Sequence, residues 1–246
     1  MNIKQFIQDF ITASRNQYAL QLKTDPRYWS LSAINYHYYK DILQITRQKK
    51  FGDLLDAGAG GLNGKVLFSD LCDSYTSLDI IDRTNNIDIV GDVQNMENIK
   101  ENSFDTVYSS QVLEHVPYPA LAIKEFKRVL NKSGLCIISV PHLSHYHEIP
   151  YDFFRFTEFG ISKLLEDAGF SIMLVKKQGG IVSFITHPLS VILVTLCWQI
   201  PVLKWVGFYL NKFMLVLPSY YIDKISPASK VYPCNLLVIA STDVSR

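Results

Sequence analysis

Residues 54–64 read LLDAGAGGLNG, an apolar run that ends in an acid and then breaks into Gly58, Gly60, Gly61 and Gly64. Glycines let a backbone turn sharply and approach a ligand closely, and a helix starting beyond them would favour negative charge. A nucleotide-like cofactor suits such a turn. The dinucleotide fingerprint GxGxxG, begun at Gly58, requires glycine where Asn63 stands, which disfavours a nicotinamide oxidoreductase.

From Gly52 to about Ile138, short apolar runs alternate with helical or polar stretches, the rhythm of a parallel sheet covered by helices. Strands are expected at DLLDAG (53–58), YTSLDI (75–80), IDIVGD (87–92), FDTVYSS (104–110) and LCIISV (135–140), and later at FSIMLVKK (170–177) and NLLVIAST (235–242). In PALAIKEFKRVLNKSG (119–134), Leu121, Phe126, Val129 and Leu130 recur at helical spacing, with Gly134 just beyond. Thr157 caps a second expected helix, whose apolar face is Ile161, Leu164, Leu165 and Ala168 and whose stop is Gly169.

Acids close the first three strands. Asp79 is placed to accept from both hydroxyls of a ribose, Asp92 from the exocyclic amine of adenine, and Asp56 faces a cationic amino group. A single aspartate after a strand commonly caps a turn. Three at successive strand ends fit a ligand with adenosine at one end and an amino acid at the other.

The ordered series DAGAG, SLDI, GDVQNM, NSFDTVYSSQVLEHV and RVLNKSGLCIISVP resembles class I S-adenosylmethionine-dependent methyltransferases over about residues 52 to 178. The resemblance implies an α/β, Rossmann-like, mostly parallel sheet of seven strands with helices on both faces. It implies S-adenosylmethionine as cofactor: Asp56, Gly58, Ala59 and Gly60 around the methionine moiety, Asp79 and Ile80 at the ribose, Asp92 and Val93 at the adenine, and Ser110 bordering the methyl donor. The VLEHV segment followed by the HxxPxDFxRFT loop is similar to methyltransferases of bacterial surface-polysaccharide and glycan biosynthesis. Two departures stand out: Leu62 replaces a third glycine, and only IDRTNN separates the second and third strands, too little for a helix.

Methyl transfer from a sulfonium needs an aligned acceptor and somewhere for its proton to go. His115 is the first candidate base, with a structural role as the competing reading; His142 and His145, in HLSHYHEIPYDFFRF (142–156), come next because they lie nearest the strand end. Tyr151, Asp152 and Arg155 are the candidate substrate contacts, although the last two also suit pairing with each other. The HxxHxH run is short and loop-borne. Relatives of the ubiquinone pathway hold a metal with acids and a histidine near VLEHV, but Gln111 replaces one of the acids here, so no metal is expected.

The remaining segments divide the chain into a helical lid (1–50), the cofactor core (51–178), an apolar helical insertion (179–233) and the last strand with the C-terminus (234–246). Residues 179–203 lack Asp, Glu, Lys and Arg, yet Pro188 and Pro201 interrupt them, and strands on either side must pair again. A hairpin that contacts a membrane surface, covers a lipid-linked substrate or forms a homodimer interface through 181–222 is expected, against the plainer reading of a packed subdomain. With 24 basic and 23 acidic residues there is no broad footprint for nucleic acid, and the partner expected is a small-molecule or lipid-linked glycan precursor. Four dispersed cysteines and an N-terminus, MNIKQFIQDFITASRNQ, without a secretory pattern suit a cytoplasmic protein.

Overall fold

Apolar runs bounded by turn residues become strands where both faces of a sheet are covered. In the computed structural model, which describes residues 9, 10, 13, 14, 17, 18, 21, 22, 25–46, 50–83 and 85–243, these runs form one seven-stranded sheet. The strands are β1 (Asp53–Ala57), β2 (Ser74–Asp79), β3 (Ile89–Val90), β4 (Phe104–Ser110), β5 (Leu130–Pro141), β6 (Ser171–Gln178) and β7 (Asn235–Ser241), in the order 3-2-1-4-5-7-6. β7 alone runs antiparallel, paired with β5 from Leu135↔Ser241 to Pro141↔Asn235 and with β6 from Ser171↔Ser241 to Gln178↔Asn235.

The chain forms two compact units. One comprises residues 42–178 and 233–246, and the other joins the described residues up to Asp41 with 179–232. In the first unit, α2 (Asn63–Phe68), α3 (Pro119–Val129) and α4 (Glu158–Asp167) cover the sheet. α3 buries Ala122, Ile123, Phe126 and Val129, so its inward face is turned from the one expected: Leu121 is exposed, and Leu130 has already entered β5. In α4 the Thr157 hydroxyl accepts from Gly160 N–H, and Gly169 takes φ +85° at the stop.

No helix lies between β2 and β3 among the described residues, and β3 has two residues. Side chains replace the missing ladder. Asp88 accepts from the Ser77 amide and hydroxyl at 2.8 and 2.6 Å, which holds its carboxyl below the usual range. From α3, Glu125 accepts from Met96 N–H and Arg128 donates to the Met96 and Ile99 carbonyls, fastening the turn that follows β3.

In the second unit, AINYHYYKDILQIT forms α1 (Ala33–Thr46), which runs past the unit boundary. Most of the first 24 residues of the expected helical lid lie outside the described residues. α5 (Ile181–Trp198), α6 (Pro201–Asn211), a π-helical turn (Lys212–Val216) and α7 (Leu217–Ile225) follow. Pro188 sits inside α5 without ending it, contrary to the sequence reading, while Pro201 begins α6. Leu22, Leu31, Val194, Trp198 and Phe208 form this unit's core. Asp223 of α7 accepts from the Ser183 and Val182 amides, placing a negative charge at the N-terminus of α5. Buried Asn211 donates to the Leu31 carbonyl at 3.0 Å.

Candidate active site

Strand order reverses between β1 and β4, and segments leaving their carboxyl ends open the crevice in which open α/β sheets bind ligands. After β1, Gly58 turns at φ +89° and Gly60 at φ +49°. Gly58 and Ala59 both donate to the Leu78 carbonyl, at 2.8 and 2.9 Å, which pins the turn over β2. A β-carbon on Gly58 would run into the Val112 methyls, so the segments after β1 and β4 touch there. Leu62 takes φ 61°, a left-handed conformation that costs an L-residue about 1–2 kcal/mol. Its buried side chain offsets part of that cost.

Asp79 ends β2 beside this turn. One carboxylate oxygen accepts from Gly60 N–H at 2.8 Å and the other from Ile81 N–H at 3.1 Å, leaving each with lone-pair capacity for a hydroxyl. Ile80 and Ile81 are exposed next to it. Asp92 accepts from Gln94 N–H at 2.8 Å, and Gln94 in turn accepts from Tyr118 N–H, tying the adenine side to the segment after β4. Ser110 closes β4, opposite Ser139 of β5.

Two of the expected cofactor residues turn their side chains inward. Asp56 is 2% exposed, its carboxylate hydrogen-bonded to the Tyr75 hydroxyl beneath Gly64, where any β-carbon would strike it. Burial pushes its carboxyl up to about 7, and from there it supports the glycine turn from below. The Val93 side chain lies in the core with Leu78 and Met96, because the turn after β3 folds inward, which leaves only its backbone for the base.

The loop after β5 is sewn to the segment after β4. His115 Nδ1 lies 2.6 Å from the Tyr151 carbonyl, and Phe153 N–H donates to the Glu114 carbonyl at 2.8 Å. Tyr146 and Tyr151 are exposed, and Phe156 packs into the core. Asp152 and Arg155 pair with each other through both arms of the guanidinium, at 2.6 and 2.8 Å, and Arg155 also donates to the His145 carbonyl. The arginine holds the Asp152 carboxyl well below its usual range. Asp152 therefore braces the loop and is not available to sugar hydroxyls. His142 is held as His115 is, its Nδ1 meeting the Phe156 carbonyl at 2.8 Å, which leaves Nε2 as its free ring nitrogen. His145 remains exposed on the loop.

The structure adds two residues to which the sequence reading assigned no role. Glu114, wholly buried in the VLEHV turn, places one carboxylate oxygen 3.8 Å from Nε2 of both His115 and His147. The facing Glu114 carboxylate raises the His147 pKa above the ordinary imidazole value. An acid inside an apolar run was the available signal for Glu114; for His147 it was the HxxHxH run, although only the fold of the loop brings that histidine to Glu114.

The arrangement fits S-adenosylmethionine: a glycine turn closed to any side chain at Gly58, a carboxylate at the end of β2, and exposed isoleucines beside it. Residues 55–138 match the protein family described as "Methyltransferase domain". No curated protein matches the sequence significantly. Among solved structures, the cyclase SpnF is similar with a TM-score of 0.57 at 16% identity, over 86% of this chain and 82% of that one. The Burkholderia thailandensis 1,6-didemethyltoxoflavin-N1-methyltransferase, crystallised with S-adenosylhomocysteine, has a TM-score of 0.53 at 16% identity, over 98% of this chain and 87% of that one. An S-adenosylmethionine-dependent methyltransferase from Mesorhizobium loti has a TM-score of 0.50 at 14% identity, over 83% and 97%. These likenesses concern the fold, which also houses a cyclase. The match to the methyltransferase-domain family runs from Leu55 to Ile138, over β1 to β5, the strands that flank the crevice.

Proposed function

We propose that the chain methylates a hydroxyl, in preference to an amine, on a sugar or other glycan precursor by direct in-line transfer. The observation that carries this reading is the junction of the segment after β4 with the loop after β5, at His115 and the Tyr151 carbonyl, on the same side of the sheet as the glycine turn. S-adenosylmethionine supplies a methyl group already activated on sulfur. His115 and His147 offer nitrogen atoms for the acceptor's proton. Tyr146 and Tyr151, 81% and 65% exposed, present flat amphipathic faces to a polar acceptor with apolar ring surfaces.

The helical unit supports a lipid-linked form of that precursor and a cytoplasmic protein resting on a membrane surface. α5 exposes Ile181, Ile185, Leu189, Ile192 and Leu196 at three- and four-residue spacing, and Val202, Val206, Phe213 and Met214 continue the apolar exposure. Lys204, Lys212, Lys224 and Lys230 face a single acid, Asp223, across 179–232, a balance that suits anionic lipid. α5 is long and apolar enough to cross a membrane. The pairing of β6 with β7 returns the chain to one sheet, which favours lying on the surface.

Calorimetry with S-adenosylmethionine and with NAD, followed by a methyl-transfer screen on nucleotide sugars and lipid-linked sugars, tests the activity. Failure to bind either cofactor would leave a non-catalytic interaction module. Flotation with anionic liposomes tests the surface; a soluble dimer that never floats would reassign it to self-association.

A further inference from the structure

A helix on the surface of a protein in water turns its apolar stripe inward and its polar side chains outward. α5 does much of the reverse. Beside Val194 and Trp198, its inward face carries Ser183, Ser190 and Thr195, whose buried hydroxyls have no hydrogen-bond partner among the described residues. Thr186 meets the Ser219 hydroxyl of α7 at 2.9 Å. The opposite stripe, Ile181, Ile185, Leu189, Ile192 and Leu196, is 39–58% exposed. In water both faces are costly, because hydroxyls are withdrawn from solvent and aliphatic chains are left in it. Against hydrocarbon the same arrangement is favourable, since polar side chains there turn toward neighbouring helices and aliphatic ones toward lipid.

The contact between α5 and α6 has the same character. A β-carbon on Gly207 would lie 2.5 Å from the Cys197 β-carbon, so the two helices approach where neither carries bulk, as helices in lipid do. From α6 onward, Val202, Val206, Leu210 and Phe213 are exposed at four- and three-residue spacing.

Charge identifies what covers these stripes. Across 179–232 four lysines oppose one acid, and that acid, Asp223, is buried with its carboxylate spent on the α5 amides. The charge left at the surface of this segment is therefore positive. A second copy would bring like charge against like, whereas an anionic leaflet complements it. Lys204 and Arg27 both lie over the Trp205 ring, at 5.4 and 4.3 Å from its centroid, a grouping suited to headgroup level. Lys212, midway along the return from Pro201 to Ile225, opposes a crossing of the bilayer.

We infer that α5 and α6 lie in the membrane plane with their outward stripes sunk into the acyl chains of one anionic leaflet, which makes the chain an integral, one-leaflet protein. This rests on the surface attachment proposed above and adds its depth: the hold is hydrophobic, and the lysines orient it.

The test mixes the purified full chain with phosphatidylcholine–phosphatidylglycerol vesicles. Floated protein should stay bound in high salt, which screens attraction between lysines and headgroups, and should come off only in detergent. Ile192→Trp, on the exposed stripe, should add fluorescence that lipids brominated along their acyl chains quench. Ile192→Asp should weaken partitioning into vesicles on the order of tenfold or more. Protein that floats but washes off in salt, with the added tryptophan unquenched, would overturn the insertion and leave the surface attachment standing. A chain that ignores the vesicles and whose self-association is lost in Ile192→Asp would overturn both and give the stripe to a second copy. None of these readouts involves methyl donor or acceptor, so their failure is distinct from failure of the proposed methyl transfer.

Discussion

Gly58 lies against Val112 so closely that a β-carbon on the glycine would occupy the space of a valine methyl. The cofactor turn after β1 and the segment leading to Glu114 and His115 are thereby one packed unit. Gly58→Ala should lower both stability and S-adenosylmethionine affinity, because it adds a clash to a backbone at φ +89°. Adding Val112→Ala should recover the steric part and leave the conformational part, about 1–2 kcal/mol. Denaturant unfolding of the single and double variants separates the two.

Asp79→Ala removes the acceptor shared by Gly60 N–H, Ile81 N–H and the expected ribose hydroxyls. Two hydrogen bonds to a charged acceptor, at about 1.5 kcal/mol each, set the expected loss of S-adenosylmethionine affinity at about a hundredfold. Unchanged affinity in calorimetry would place the ribose elsewhere.

Asp56 gives a dependence on pH. Its folded pKa, near 7 through burial, lies above that of the unfolded chain, so the folded state retains a proton the unfolded state has released. Stability in the absence of cofactor should therefore fall as pH rises from about 4 toward 7, by up to about 1.4 kcal/mol per unit from this residue. Asp56→Asn, which keeps an acceptor for Tyr75, should flatten that slope in pH-resolved urea melts.

Arg155→Ala strips the bidentate partner from Asp152, whose side chain is 2% exposed. The loss should be about 2–3 kcal/mol, less than for a fully buried pair because the arginine is partly solvated. Proteolysis within residues 142–156 should accelerate and kcat/KM should drop, with cofactor affinity little changed. Arg155→Lys should restore only part of the loop's protection, since an ammonium cannot form the fork.

Much of the fold was legible because its determinants are local. Period, strand length and turn residues marked all the strands of the sheet, and β4 at 104–110 agrees to the residue. Leu121 misled because helical spacing alone does not say which of two adjacent apolar stripes faces a sheet. Residues 33–46 and the insertion were legible as helical, whereas their membership of one compact unit depends on contacts between segments far apart in sequence.

The site divided along the same line. Sequence order alone determined the glycine turn and Asp79, since a tight turn and a strand-end acid announce themselves by residue type and spacing. Only the tertiary structure decided that Asp56 points into the core, that Asp152 is consumed by Arg155, and that Glu114 meets His115 and His147. Burial and partner choice depend on what two loops, over thirty residues apart in the chain, do when the sheet brings β4 and β5 side by side.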